Sequence, residues 1–371
     1  MTSCNVTLVL GTRPELIKLA PIIDLLGPDA TVIHTGQHDH DRMAARIAVT
    51  FGIQLQYLAT RWDRVASRGA QLGSMVAALD RRFGVNPPAV VLVQGDTTSA
   101  LAGALAANHA NLPLVHVEAG LRSFDRSMPE EHNRVLIDHL ADLCCAPTAL
   151  NRANLLAEAI PENRIMLTGN TIVEAVHAIL PGPVARTDLL TRHRLVARRY
   201  ILATLHRPEN VDRPEILDLL LTQLATAGVP VVLPLHPRTS RRIEEFGLAH
   251  RAAALQVTEP LDYPDFLALA HSAALLISDS GGVQEEASVV KTPVIIVRRS
   301  TERPEIEYTF GLRVPPSRDL GALTRRWLED PDLRYQALTD LPSPFGDGTA
   351  AHRIANALGQ FIQADQETAP P

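Results

Sequence analysis

Short apolar runs alternate along this chain with longer segments in which apolar positions recur every three to four residues. Val6–Leu10 is the first run. Val90–Val93, Leu114–Val117, Leu143–Cys145, Ile165–Thr168, Tyr200–Leu205, Val231–Leu235, Ala274–Ile277 and Val294–Val297 follow. Gly, Pro or polar residues bound each run, which predicts strands covered on both faces in a parallel sheet. The intervening segments, such as Ser99–Ala110 and Pro214–Thr226, carry the helical period. Strands alternating with helices predict an α/β fold of βα units. The runs are too many for one sheet of ordinary width. A seam near Pro181–Arg199, with its Pro-Gly-Pro and a following basic and polar stretch, divides them. The pattern therefore predicts two Rossmann-like doubly wound domains, over 1–180 and 181–345. The polar end of the chain, from about residue 364, reads as a disordered tail.

Composition narrows the class. A chain of 371 residues, 46% apolar and 20% charged, is an ordinary globular composition able to bury its own core. Aromatic residues make up only 4% and Ala is abundant, which predicts a helix-rich, Ala-lined interior. The net charge of −6 argues against a nonspecific nucleic-acid binder. Cys4, Cys144 and Cys145 form neither a disulfide framework nor a zinc spacing. The first residues lack the marks of a signal peptide. No apolar run reaches the ~18 residues of a membrane helix. The expected compartment is a reducing cytoplasm, with no membrane association.

In open α/β sheets, ligands bind beyond the carboxyl ends of the strands. The unusual residues fall there repeatedly: Gly11-Thr12-Arg13-Pro14-Glu15 with Lys18, Gln94-Gly95-Asp96-Thr97-Thr98, Glu118-Ala119-Gly120-Leu121-Arg122, His206-Arg207-Pro208-Glu209-Asn210 and Ser278-Asp279-Ser280-Gly281-Gly282. Any one of these is an ordinary strand-to-helix turn; their recurrence is what points to chemistry. Ser280, Gly281 and Gly282 end a strand and open a helix, which makes an anion site of free N–H groups at a positive helix end. Glu286, a turn later, is placed to accept from ribose hydroxyls. Arg13, Lys18, His206 and Arg303 are candidate phosphate partners.

Asp96, Glu118 and Glu130 form a second group. Carboxylates gathered in one place push their pKa values apart, so that one serves as acid and another as base. Glu130 and Glu131 equally suit the anion-favouring first turn of a helix over PEEHNRVLIDHL, and that alternative stays open. His34, His38, His40, His116, His132 and His139 match no metal motif, and no metal is expected.

The segments GTRPELIKLAPI, TGQH, QGDTTSA, HVEAGLRS, MPEEHNR, TGN, HRPEN, SDSGGVQEEA, TERPE and GDGTAAHRI occur in this order, from Val6 to Ile354. Together they resemble the non-hydrolysing UDP-N-acetylglucosamine 2-epimerases. The resemblance implies the two-domain glycosyltransferase-B fold, with the site in the interdomain cleft and a C-terminal helix, within 346–371, crossing back to the first domain. It implies reversible interconversion of UDP-N-acetylglucosamine and UDP-N-acetylmannosamine by a homodimer without cofactor. Asp96, Glu118 and Glu130 match the family's acid/base carboxylates, and His206 the histidine beside the phosphates. Arg13, Lys18 and Arg303 match positions at the diphosphate, sugar or nucleotide. Ser280, Gly281 and Gly282 match the diphosphate loop, Glu286 the ribose carboxylate and Phe266 an aromatic beside the uracil. Gln37 and His38 of TGQH match an activating site of some members.

Two positions depart from the pattern: Leu261 replaces a Gln near the uracil of some members, and Pro208 replaces a second Arg after His-Arg. The competing expectations are a hydrolysing 2-epimerase, against which GTRPE argues, and an epimerase of a modified UDP-2-acetamido sugar. A glycosyltransferase has no need of the three carboxylates, a sugar-nucleotide sensor would lose them, and a nicotinamide dehydrogenase would show GxGxxG after its first strand.

Overall fold

The computed structural model describes residues 5–37, 42–58 and 67–368. They form two compact units. Unit 1 holds the described residues up to Ala175 and again from Phe345, and unit 2 runs from Val176 to Pro344.

In unit 1 the strands are β1 (Val6–Leu10), β2 (Ala30–His34), β3 (Leu55–Tyr57), β4 (Val90–Gln94), β5 (Leu114–Val117), β6 (Leu143–Ala146) and β7 (Ile165–Leu167). All pair in parallel, in the order β3-β2-β1-β4-β5-β6-β7. Unit 2 has β8 (Ile201–Thr204), β9 (Val231–Pro234), β10 (Gln256–Thr258), β11 (Leu275–Ser278), β12 (Val294–Val297) and β13 (Gly311–Val314), parallel in the order β10-β9-β8-β11-β12-β13. Strand order reverses between β1 and β4 in the first sheet and between β8 and β11 in the second. Beyond the carboxyl ends at such switch points, backbone N–H groups and side chains from two diverging loops are free to meet a ligand.

The central strands are buried along their whole length, which is why they read as unbroken apolar runs. β2, β3, β10 and β13 escape that reading. β3, β10 and β13 are sheet edges, short and half-exposed, with polar residues tolerated on the open side. The Ala-rich helix Thr98–His109 explains the interior anticipated from composition. Ala100, Ala102, Ala104, Ala106 and Ala107 are fully buried, and a Cβ at Gly103 would lie 2.8 Å from Val93 and 3.0 Å from Val9. Only small residues let this helix approach β1 and β4 so closely.

Two expectations about boundaries change. The segment read as a seam contains a helix, Pro183–Arg192, because Pro183 occupies the first helical position, where its missing N–H costs nothing. The last helix, Ala350–Thr368, continues through residues 364–368, which the polar composition marked as a tail. Ala, Gln and Glu there are good helix formers. The chain before this helix is stitched to unit 1: Asn170 N–H donates to Phe345 O at 2.7 Å, and Ala351 N–H to Glu174 at 2.7 Å. Among the described residues no helix is long and apolar enough to cross a membrane.

Candidate functional site

In unit 1 the chemistry gathers at the β1/β4 switch point and the neighbouring end of β5. Glu118 follows β5 with a left-handed φ of +70° and is buried. Lys18, on the helix Arg13–Leu26, donates to its Oε1 at 2.5 Å, Asn170 donates to the same oxygen at 3.4 Å, and Gln94 at the end of β4 donates to Oε2. A buried carboxylate needs such partners, since desolvation without them would neutralise it. Lys18, anticipated as a substrate contact, is thus engaged with Glu118.

Asp96, partly exposed beyond β4, is held by both Nε (3.1 Å) and Nη2 of Arg134. Arg134 Nη1 reaches Glu131 at 2.6 Å. Glu131 also accepts from Ser123 N–H (3.0 Å), Ser123 Oγ (2.8 Å) and Phe124 N–H (2.8 Å). These contacts resolve the two adjacent glutamates: the carboxylate of Glu131 is spent on folding the loop after β5. Glu130, half-buried at the start of the helix Pro129–Leu140, makes no side-chain hydrogen bond among the described residues.

A buried pair underlies this arrangement. His116 Nδ1 lies 2.6 Å from Asp138 and Nε2 2.9 Å from Gly95 O. Asp138 also binds Arg122 at 2.7 Å and accepts from Gly120 N–H at 3.2 Å. Burial would raise the Asp138 pKa, but His116 and Arg122 outweigh it and hold it below the usual carboxylate range. The pair pins the backbone beside both Asp96 and Glu118. Glu15, fully buried, accepts from Gly11 N–H (3.0 Å), Thr12 Oγ1 (2.8 Å) and Thr97 Oγ1 (2.7 Å), tying the turn after β1 to the loop after β4. Burial pushes its pKa up to about 7 against those hydrogen bonds. Arg13 is half-buried at the first position of its helix. Gln37 accepts from Ser99 N–H (3.0 Å) and Oγ (2.7 Å) at the start of the Ala-rich helix. His38 lies outside the described residues.

In unit 2 the loops after β8 and β11 meet at their own switch point. Asp279, fully buried, accepts from His206 N–H (3.0 Å), Arg207 N–H (2.9 Å) and Asn210 Nδ2 (3.0 Å), and His206 Nδ1 lies 3.1 Å away. Burial raises its pKa, yet His206 and these donors bring it down to about 2. Asp279 therefore fixes the His206 ring with Nδ1 inward, leaving Nε2 as the nitrogen turned away from it. The helix Gly281–Val290 begins directly after Ser280. A Cβ at Gly281 would meet Arg303 Nη1 at 2.8 Å and Glu302 Oε1 at 2.9 Å, whereas one at Gly282 meets nothing within 4 Å. A methyl group at Gly281 would have to displace the buried ends of Arg303 and Glu302, whereas Gly282 faces open space. Arg303, buried under the helix start, binds Glu285 at 2.5 Å and also Glu302, which in turn holds Arg298 at 2.7 Å. Glu286 is buried and accepts from Tyr263 Oη at 3.0 Å. Tyr263 and half-buried Phe266 sit three residues apart on the helix Tyr263–Ser272, and so share a face.

Sequence reasoning missed the residues that hold others: Gln94, Arg134, Asn170, Glu15, Asp279, Tyr263 and the His116–Asp138 pair. Most lie inside the quoted motifs, which was the available signal, but a partner's identity depends on which strands are neighbours.

The family model for UDP-N-acetylglucosamine 2-epimerase matches residues 27–359. The UDP-N-acetylglucosamine 2-epimerase of Methanocaldococcus jannaschii is 37% identical over 370 residues, covering 95% of this chain and 98% of that one. Its namesake from Salmonella typhimurium is 35% identical over 382 residues, 96% of this chain and 99% of that one. Among solved structures, the M. jannaschii enzyme in complex with UDP-GlcNAc and UDP matches with a TM-score of 0.82 at 36% identity, over 96% of this chain and 99% of that one. The Neisseria meningitidis enzyme bound to UDP-GlcNAc matches with a TM-score of 0.87 at 30% identity, with the same coverage. Two parallel doubly wound sheets of the glycosyltransferase-B type, with Asp96, Glu118 and the Ser280–Gly282 turn at the carboxyl ends of their strands, thus come with relatedness along almost the whole sequence. On these grounds the chain belongs to the UDP-N-acetylglucosamine 2-epimerase family.

Proposed function

We propose that this protein interconverts UDP-N-acetylglucosamine and UDP-N-acetylmannosamine without hydrolysis, by elimination and re-addition of UDP through 2-acetamidoglucal. The observation that carries the reading is the set of carboxylates at the ends of β4 and β5 and on the following helix, in three different environments: Asp96 on Arg134, Glu118 on Lys18, Gln94 and Asn170, and Glu130 unengaged. Epimerisation needs two proton-transfer groups on opposite faces of the sugar, and these carboxylates are the candidates for them.

Carbon 2 of the sugar has no neighbouring carbonyl, so its hydrogen is not acidic enough for direct removal by a carboxylate. Departure of UDP changes that. The C1–O bond breaks with its electron pair going to the diphosphate, a carboxylate takes the C2 proton, and a C1–C2 double bond forms. UDP then returns to C1 while a proton arrives at C2 from the other face. The grip on the departing charge falls to the amides at Gly281 and Gly282 and to His206 held by Asp279, and Arg13 is a further candidate cation. Each well-aimed donor is worth about 3 kcal/mol at such a step. Glu286 and Phe266 hold ribose and uracil, and Arg303, paired with Glu285 and Glu302, supports the glycine turn from beneath. Gln37 and His38 form part of an activating substrate site. A homodimer in the cytoplasm belongs to the same reading.

Proton NMR of the purified chain with UDP-N-acetylglucosamine in heavy water tests it. We expect a UDP-N-acetylmannosamine signal, deuterium at carbon 2 and no free sugar. Accumulating free N-acetylmannosamine would make this a hydrolysing enzyme, and an inert UDP-N-acetylglucosamine would overturn the substrate. Glu118→Gln and Asp96→Asn are each expected to lose about 100-fold in turnover while still binding UDP.

A further inference from the structure

Phe124 is a bulky residue held where bulky residues are rarely found. Its φ is +57°, in the left-handed region that Cβ-bearing side chains avoid, and it is 74% exposed. The conformation is over-determined. Phe124 N–H donates to Glu131 Oε1, Ser123 gives both its N–H and its hydroxyl to Glu131 Oε2, and Asp125 Oδ1 accepts from Ser127 N–H (3.0 Å) and Oγ (2.6 Å). His132 Nε2 closes on Arg126 O at 3.0 Å. The loop therefore employs its polar groups to set its own shape, and presents one large apolar side chain that is mostly exposed. Along the chain it lies between Glu118 and Glu130, and the carboxylate that shapes it also holds Arg134, the partner of Asp96. A strained backbone kept by several hydrogen bonds beside reactive groups is a feature that a functional demand explains and folding alone does not.

We propose that Phe124 contacts the substrate, its ring packing against C–H bonds of the pyranose away from carbon 2. An aromatic face and an axial array of C–H bonds are complementary, and the contact is worth about a tenfold in affinity. The inference rests on the epimerase reading for the identity of the sugar.

Three variants of the full chain test it. Phe124→Ala is expected to lower kcat/KM for UDP-N-acetylglucosamine about tenfold, chiefly through KM, with UDP alone binding within twofold of wild type. Phe124→Gly is expected to lose the same activity while its Tm rises by a few degrees, because glycine relieves the left-handed conformation. A purely structural role would move both quantities together. The fluorescence of Phe124→Trp is expected to respond to UDP-N-acetylglucosamine and not to UDP. Wild-type kcat/KM in the Ala and Gly variants, equal losses for sugar nucleotide and UDP, or a Trp blind to the sugar nucleotide would each overturn the proposal. Turnover failing in the wild-type protein would sink the epimerase reading separately, and the Trp signal would still judge the ring.

Discussion

Glu130 and Glu131 are chemically identical neighbours with different fates. The second is buried among Ser123, Phe124 and Arg134; the first is half-buried and makes no side-chain hydrogen bond among the described residues. One step along a helix is a rotation of about 100°, and that rotation separates a structural carboxylate from an available one. Glu15 is a third case, with a consequence for pH. Its pKa is raised by burial from 4.5 to about 7, so between those values the folded chain keeps a proton that the unfolded chain has lost. Stability from this group is fully present below the lower value and is lost as pH rises through the upper one, by about 3 kcal/mol in all. Glu15→Gln is expected to remove that slope. Urea denaturation at about pH 5 and about pH 8 measures it, and equal pH dependence in variant and wild type would refute the assignment. Asp279 has the opposite sign: its depressed pKa stabilises the fold above the ordinary carboxylate range and is lost only as pH falls towards about 2.

At the scale of elements, the candidate site residues sit where a strand hands over to a helix, and glycine decides what is allowed there. Gly120 has φ +81°, and a Cβ would come within 2.3 Å of Asn151 O, so Gly120→Ala is expected to cost about 1–3 kcal/mol of stability. Gly282 is the counter-example. Nothing occupies the space a methyl group would fill, and Ala favours a helix over Gly by up to about 1 kcal/mol. Gly282→Ala is expected to keep or gain stability while weakening UDP roughly tenfold or more, because the methyl stands where the proposed function brings phosphate oxygens to backbone N–H. Calorimetric titration beside a melting curve separates the two effects. Unchanged UDP affinity would remove the glycine turn from the binding site. The same scale explains which strands were readable: β1, β4, β5 and β12 announce themselves by burial on both faces, while β3, β10 and β13 are too short and too wet to carry a pattern.

Across the whole molecule, each unit repeats one plan, a parallel sheet with a reversal of strand order and charged loops at that reversal. The candidate groups differ chemically between the units: carboxylates collect in unit 1, and the glycine-opened helix start proposed to hold the diphosphate lies in unit 2. A ligand gripped through unit 2 stabilises the native chain by mass action, by about 2.7 kcal/mol at 100 times Kd. We therefore expect UDP to raise the unfolding temperature of the wild-type protein and of Glu130→Gln alike, and to do so far less in Asp279→Asn, where His206 loses its anchor. Differential scanning calorimetry at fixed UDP decides this. Loss of the shift in Glu130→Gln instead would assign nucleotide binding to the carboxylate set.

By itself the sequence determined the alternation of strands and helices, the parallel pairing that alternation entails, and the kinds of group at the ends of the strands, because each depends on residues within a few positions of one another. Only the tertiary structure decided that Lys18 reaches across 100 positions to Glu118 and that Arg134 rather than a neighbour holds Asp96. Partners of that kind follow from which strands become adjacent and how closely a small-residue helix lets them pack, and no local period in the chain encodes either.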